Sequence, residues 1–346
     1  MKTNKKYWQD RFVAVENMRN GQAKSMVDTV TPAFDSALFE LEKEINAWYS
    51  RYATENGISL AEAKKQLNSR ELKEFRWDIK KYIRYGLENA IDHKWMKQLE
   101  KASTRYHVSR LEALKLRTQQ AVEKAFGNEL DVMDQMLSKM YTDGYYHTAY
   151  EIQKGLGVGW DIGTIDETRL SKIMQKPWTT DKLTFSDRIW DQKQKLVNTV
   201  STEMTQMCVL GGKPDKAIKN LAHKMQVSKS QAGRLIMTES AYFGSKAQKD
   251  CFNDLDVKEY EIVATLDLHT SEICQQMDGK HFPMKDFEPG VTAPPFHPWC
   301  RSVTCPYFDD EFTASETRAA RDTETGKTFQ ISAKMKYSDW EKQFIK

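Results

Sequence analysis

The sequence predicts an α+β protein that is mostly α: a long-helix N-terminal domain, then a helical segment ending in a small β, loop-rich module. Three observations carry this. Apolar residues recur at three- and four-residue spacings over most of the first 250 positions, which is the helical period. Six of the nine prolines, Pro283, Pro289, Pro294, Pro295, Pro298 and Pro306, lie in or at the edge of residues 260–310, and proline is disfavoured in helix interiors. That stretch opens with Tyr260 to Asp267, whose Ile262, Val263 and Thr265 suit a strand.

An aromatic-bearing helix (Tyr7, Trp8, Phe12, Val15) opens the chain and drifts into a polar connection. Thr31-Pro32 then predicts a fresh helix start, a cap followed by proline at the first helical position. Phe34, Leu38, Leu41, Ile45 and Trp48 supply its apolar stripe, and Asn56-Gly57 predicts its end. Ser59 with Glu62 and Asn68 with Glu71 are capping-box patterns. The second opens a helix carrying Leu72, Phe75, Ile79 and Tyr82 on one side. A charged helical stretch runs over 88–126 with an internal restart at Ser109 and Glu112, and Gly127-Asn128 predicts a break. Leu130, Met133, Met136, Leu137 and Met140 then line one side of a helix to Lys154, as core rather than as a cofactor site.

Gly155-Leu156-Gly157-Val158-Gly159 predicts a flexible domain boundary; it lacks the GxGxxG form of a dinucleotide loop. Ser186 predicts a helix over 187–209, Gly211-Gly212 a turn, Pro214 the next helix, and Val227-Ser228 the start of a third. The expected division is a helical domain over 1–155, a second domain over 160–312, and a charged tail over 313–346 that orders only against a partner.

At 346 residues, with 40% hydrophobic and 29% charged residues, the chain falls in the soluble globular class. A net charge of +3 permits nucleic-acid contact without arguing for it. No run is long and apolar enough to span a bilayer, and the polar first ten residues lack a signal-peptide core. The expectation is a protein with no membrane partner, working in a cytosol where thiols stay reduced. Of five cysteines, Cys208 and Cys251 fit helical patterns as small buried hydrophobes. Cys274, Cys300 and Cys305 cluster among the prolines.

Cys274, His297 and Cys300 are ligand types that zinc takes, and His297-x-x-Cys300 is a workable local clamp. The fourth ligand is open among Cys305, His269, His281 and Asp278. A loop-rich module with few apolar residues gains from such a staple. Paired CxxC halves are absent, and the alternative is that the cysteines are buried thiols and His297 caps a proline turn. An enzyme reading would pair Cys300 with His297 as nucleophile and base, or centre a metal-dependent hydrolase or transferase on Cys274, His297 and Cys300. HExxH and the HxE plus PCxxC deaminase signature are both missing, so no catalytic residue is assigned. Arg234, Thr238 and Glu239 share one helix and read as structural bridges. Lysines and arginines interleaved with glutamates along 78–124 describe a solvated face. A basic stripe with aromatics around Lys80, Lys81, Arg84, Lys94 and Trp95 is the DNA-binding alternative.

These residues also resemble a known family. The helix with Arg234, Thr238 and Glu239, the run Thr265-Leu266-Asp267, Thr270-Ser271-x-Ile273-Cys274, and Asp278-Gly279-Lys280-x-Phe282 are similar to the Mu F-like phage minor head (head morphogenesis) domain. Pro294-Pro295-x-His297-Pro298-x-Cys300-Arg301 is the most specific piece. Glu74-Phe75-x-Trp77 and Ser109-Arg110-Leu111-Glu112-Ala113-Leu114 resemble the helical half of minor capsid proteins from phages and prophages of Gram-positive bacteria. Members commonly carry asparagine where this chain has Trp299, and often a second cysteine soon after the arginine, where this chain has Ser302 and then Cys305.

The resemblance implies a non-enzymatic assembly protein. It would associate with the portal protein and with capsid or scaffolding proteins. It would support head assembly and DNA packaging or ejection, and touch packaged double-stranded DNA without sequence preference. Its place would be the host cytoplasm during assembly and then the virion head interior. The metal set to test is Cys274, His297, Cys300 and Cys305, with Zn2+ as the cofactor.

Overall fold

The computed structural model describes residues 5–52, 59–88, 93–156, 162, 164–307, 317–321 and 328–332. Eight helices come first: α1 (Lys5–Tyr52), α2 (Leu60–Lys64), α3 (Ser69–Glu88), α4 (His93–Thr104), α5 (Arg110–Leu156), α6 (Glu167–Met174), α7 (Phe185–Leu210) and α8 (Pro214–Asp254). Then come β1 (Glu259–Val263), α9 (Glu272–Met277), β2 (His281–Pro283), a 3-10 turn (Met284–Asp286) and β3 (Val303–Tyr307). The strands β4 (Thr317–Arg321) and β5 (Thr328–Ser332) form an antiparallel pair within the tail. This is the mostly-α α+β architecture predicted above.

Three helices run through expected breaks. α1 is one helix of 48 residues with Pro32 inside it. The buried positions Ala23, Met26, Val30, Phe34, Ala37, Leu41, Ile45 and Trp48 continue one stripe past the proline. Pro32 and Asp28 both face solvent, so the ring meets no neighbour and water can solvate the Asp28 carbonyl that loses its donor. In α5, Gly127 does not end the helix. A single helical glycine costs about 1 kcal/mol, and burial of Val122, Phe126, Met133 and Leu137 along the same side outweighs it. α8 passes through Val227-Ser228 without a restart, because Leu221, Met225, Ser228, Ala232 and Ile236 keep the buried stripe unbroken.

Other local signals act as expected. Asn68 Oδ1 accepts from the amides of Arg70 and Glu71 at 3.0 Å, and Glu71 accepts the Asn68 amide at 2.8 Å. Ser59 accepts the Glu62 amide at 3.1 Å to open α2. Ser109 accepts the Glu112 amide at 3.2 Å, and here the restart is real, since residues 105–109 separate α4 from α5. α7 starts two residues earlier than expected, because Thr184, rather than Ser186, makes a reciprocal capping box with Asp187. Gly211 closes α7 at φ 62°. Gly155 is helical rather than a flexible turn: a Cβ there would sit 2.4 Å from the Trp8 ring. Asn56-Gly57 and Gly157 to Gly159 lie outside the described residues.

The chain forms two compact units, each discontinuous in sequence. One gathers residues 1–26, 135–178 and 234–346; the other gathers 27–134 and 179–233. In the second unit, α3, α4 and the start of α5 close over Phe75, Ile79, Trp95, Met96 and Leu99. Trp95 is therefore core and contributes no ring to a basic surface stripe. A buried ion pair, Lys193 to Glu123 at 3.0 Å, lies in the same unit.

In the first unit, β1 is the middle of an antiparallel sheet ordered β2-β1-β3. Trp8, Phe12, Ile152 and Phe252 pack with Tyr260, Ile262, Val303 and Cys305 into one core. Glu239 is buried and accepts from Trp178 Nε1 at 3.0 Å, and Thr238 bonds back to the Arg234 carbonyl at 2.7 Å. Glu239 thus bridges to Trp178, whereas Arg234 is exposed and enters no ion pair among the described residues, so the Arg–Glu bridge expected from the sequence is not formed.

Glu129 on α5 is fully buried, and neither carboxylate oxygen has a hydrogen-bond partner. Burial raises its pKa from 4.5 to about 8. The folded state therefore favours the protonated acid, while the unfolded chain ionises near its ordinary value. Stability falls as pH rises from 4.5 to about 8 and levels off above. Glu129→Gln is expected to flatten that fall and to exceed the parent stability by about 1–3 kcal/mol at the upper end. Urea melts at both ends of the window read it directly.

Candidate metal centre

Three predicted ligands converge. Cys274 Sγ lies 3.2 Å from His297 Nε2 and 3.8 Å from Cys300 Sγ. The three ligand atoms all fall within 4.8 Å of one another, and no carboxylate joins them at that distance among the described residues. Zinc bonds of about 2.3 Å to sulfur and about 2.0 Å to nitrogen set tetrahedral edges of about 3.8 Å (S to S) and about 3.5 Å (S to N). The sulfur–sulfur spacing equals that edge, while the sulfur–nitrogen spacing of 3.2 Å falls short of it.

Local structure explains the convergence. Ser271 caps α9, and its hydroxyl accepts the Cys274 amide at 3.4 Å, which turns the thiol inward. Cys300 closes a turn in which its amide donates to the His297 carbonyl at 3.2 Å. His297 Nδ1 donates to the Pro298 carbonyl at 2.7 Å. That bond fixes the tautomer and leaves the Nε2 lone pair facing the sulfurs, the usual outer support of a metal-bound imidazole. Ala264 and Phe296 pack around the thiols.

A second layer ties the two loops together. Arg301 forks onto Asp267, with Nη2 to Oδ1 at 2.7 Å and Nη1 to Oδ2 as the other arm. Asp267 also accepts the His269 amide at 2.9 Å, and its own amide donates to Thr270 Oγ1 at 3.0 Å. Thr265 Oγ1 donates to the Arg301 carbonyl at 3.1 Å. Burial opposes ionisation of Asp267, but the hydrogen bonds and charge of Arg301 overcome it and hold the carboxyl below its usual range.

The electrostatics of the three groups are asymmetric. The hydrogen bond from Cys274 drives the Cys300 thiol well below its ordinary pKa against burial, with further help from His297 and the Phe296 and Ser302 amides. Cys274 is driven up, first by that same bond and then by burial. His297 is raised, chiefly by its bond to Cys300. The buried Ser302 hydroxyl makes no hydrogen bond of normal geometry, yet lies close enough to Cys274 to favour its thiolate.

The other predicted ligands lie elsewhere. Cys305 sits on β3 opposite Glu261 and packs in the main core of the unit. His281 on β2 contacts Glu259 at 3.2 Å and stacks on Tyr307. Asp278 accepts the Ala264 amide at 2.9 Å. His269 donates its amide to Asp267. The roles of Asp267, Arg301 and Ser271 were not legible from residue types; only the repeated Thr, Ser and Asp letters around two turns hinted at them.

Residues 198–305 match the family model described as phage Mu protein F like protein. This segment is Mu F-like. It runs from within α7 to Cys305 on β3 and holds all three clustered ligands. No curated protein and no solved structure matched the chain.

Within the Mu F-like segment, Trp299 adopts φ 65° and is about half exposed. That region suits glycine or asparagine, and other residues lose roughly 1–2 kcal/mol there. Trp299→Asn is expected to raise stability by about 1 kcal/mol, and Trp299→Ala to change it by less. Thermal melts of the two variants check the ordering.

Proposed function

We propose that this protein is a phage head morphogenesis protein of the minor capsid type. It associates with the portal and the procapsid and supports head assembly and DNA packaging or ejection. It acts in the host cytoplasm during assembly and then in the head interior. The match of residues 198–305 to the Mu F-like family supports this reading most directly. Cosedimentation with procapsids and capture by portal of the encoding phage are the tests. Recovery in neither fraction overturns the assignment.

Cys274, His297 and Cys300 hold Zn2+ as a staple in this reading. The ion would draw the two loops together and neutralise the buried thiolates; it would not be required for turnover. The donor set and its edges support zinc. Purified protein is expected to carry about one zinc per chain. Cys274→Ser and Cys300→Ser should each lose the metal and lower the thermal midpoint, whereas Cys305→Ser should keep it. Metal-free protein with unchanged stability would sink the staple. Variants that fold normally but lose a chemical turnover would favour the enzyme instead.

A contact with packaged DNA has its own support. Lys213, Lys216, Lys219 and Lys224 project from the start of α8 or just before it. All four are exposed and make no ion pair among the described residues, and Asp215 is the one acid between Lys213 and Lys224. Duplex DNA binding should be independent of sequence. The double variant Lys216→Glu, Lys219→Glu should reduce the slope of log affinity against log salt by about 2. An unchanged slope removes this surface from consideration.

A further inference from the structure

A structural zinc ion takes four ligands in a tetrahedron, and Cys274, His297 and Cys300 supply three. Among the described residues no other histidine, cysteine or carboxylate joins that group. The fourth position falls to a side chain of another kind or to solvent.

The strand register places Ser302 for it. β1 and β3 are antiparallel, and Val263 pairs with Val303 at the end of their ladder. One further step in that register sets Ala264 opposite Ser302. The bond from Thr265 Oγ1 to the Arg301 carbonyl at 3.1 Å keeps the two chains side by side there. Residues opposite one another in an antiparallel pair present their side chains to the same face. Ala264 clusters with Cys274 and Cys300, so the Ser302 hydroxyl is turned toward the thiols. The electrostatics agree: that hydroxyl favours the Cys274 thiolate, and the Ser302 amide favours the Cys300 thiolate.

Ser302 is 1% exposed, and its Oγ has no hydrogen-bond partner among the described residues. A buried hydroxyl left unpaired is destabilising, and such an orphan marks the place of a missing water or ion. Burial does not take it out of reach of an ion held by the cluster, because the Cys274 and Cys300 residues are buried to the same degree, at 3% and 2% exposed. Charge also favours a neutral donor. Two thiolates and an imidazole already balance a divalent cation, and a further charged ligand would leave a net negative charge in a buried site, which is costly.

We propose that Ser302 Oγ supplies the fourth, neutral donor to a zinc ion held by Cys274, His297 and Cys300. This inference rests on the zinc staple proposed above. Arg301 stands between Cys300 and Ser302, so its fork to Asp267 holds the donors on either side of it in place.

The test uses the full chain, stripped of metal by a chelator under reducing conditions and reloaded with Zn2+ or Co2+. Competition with a chromophoric chelator reads zinc affinity, and the sulfur-to-cobalt charge-transfer absorption counts bound thiolates. Ser302→Ala is expected to weaken zinc binding by about tenfold or more, at least the effect of losing an outer-shell partner. Its thermal midpoint should lie below the parent's in the zinc-loaded protein. In the metal-free protein it should lie at or above the parent's, since only there does the alanine replace an unpaired hydroxyl. Ser302→Cys should bind cobalt with a charge-transfer band about half again as strong, as a third thiolate joins two. If the parent takes up neither ion, the staple itself fails and this inference with it. If the parent binds both ions but Ser302→Ala keeps the parent's zinc affinity, or Ser302→Cys keeps the parent's band, the staple stands and Ser302 is not a ligand. A midpoint lowered by Ser302→Ala in the metal-free protein also overturns the proposal, because the hydroxyl then has a partner within the protein.

Discussion

The fork between Arg301 and Asp267 is the contact on which the cluster of Cys274, His297 and Cys300 depends. It joins two loops 34 residues apart in sequence, and each loop carries part of the cluster. Arg301 follows Cys300 directly. Asp267 fixes the turn through His269 and Thr270 that leads into the Ser271 cap and so to Cys274. A nearly buried carboxylate in such a fork is costly to leave alone, and the two partners hold each other ionised. The thiols need not fold around an ion from a disordered start. Hydrogen bonds to backbone groups hold both loops, and the sulfurs lie 3.8 Å apart.

How far the sequence revealed this depends on which physical signal was in play. The convergence of Cys274, His297 and Cys300 was legible because ligand types were dense in a proline-braced stretch where few other roles suit them. Cys305 looked the same by composition, but strand alternation decides its direction. It lies on β3 with Val303 and packs with the apolar core that includes Phe252 and Ile262. The Asp267–Arg301 fork was hidden, since an aspartate in a turn and an arginine after a cysteine each have many ordinary explanations. The left-handed backbone at Trp299 was hidden for the opposite reason: tryptophan argues against such a conformation.

The helix boundaries show the same contest at larger scale. Caps were read correctly where a side chain has a backbone donor to satisfy, at Asn68, Ser59 and Ser109. Breaks were over-read at Pro32, Gly127 and Val227-Ser228. There a local preference worth about 1–3 kcal/mol was set against an apolar stripe that continues on both sides. Burying each large side chain of the stripe contributes about 1.5–3 kcal/mol, so two or three buried residues beyond the break outweigh it. A break signal decides only where the stripe also stops, as at residues 105–109 between α4 and α5.

Most polar groups around the cysteines are satisfied within the module. Around the cysteines, Asp267, Thr270, Thr265, Asp278 and the His297 Nδ1 proton all have partners within the module. The two sulfurs and His297 Nε2 lie within 4.8 Å of one another, and a single ion could engage all three. Such a closed arrangement stabilises its own fold and offers little to a partner.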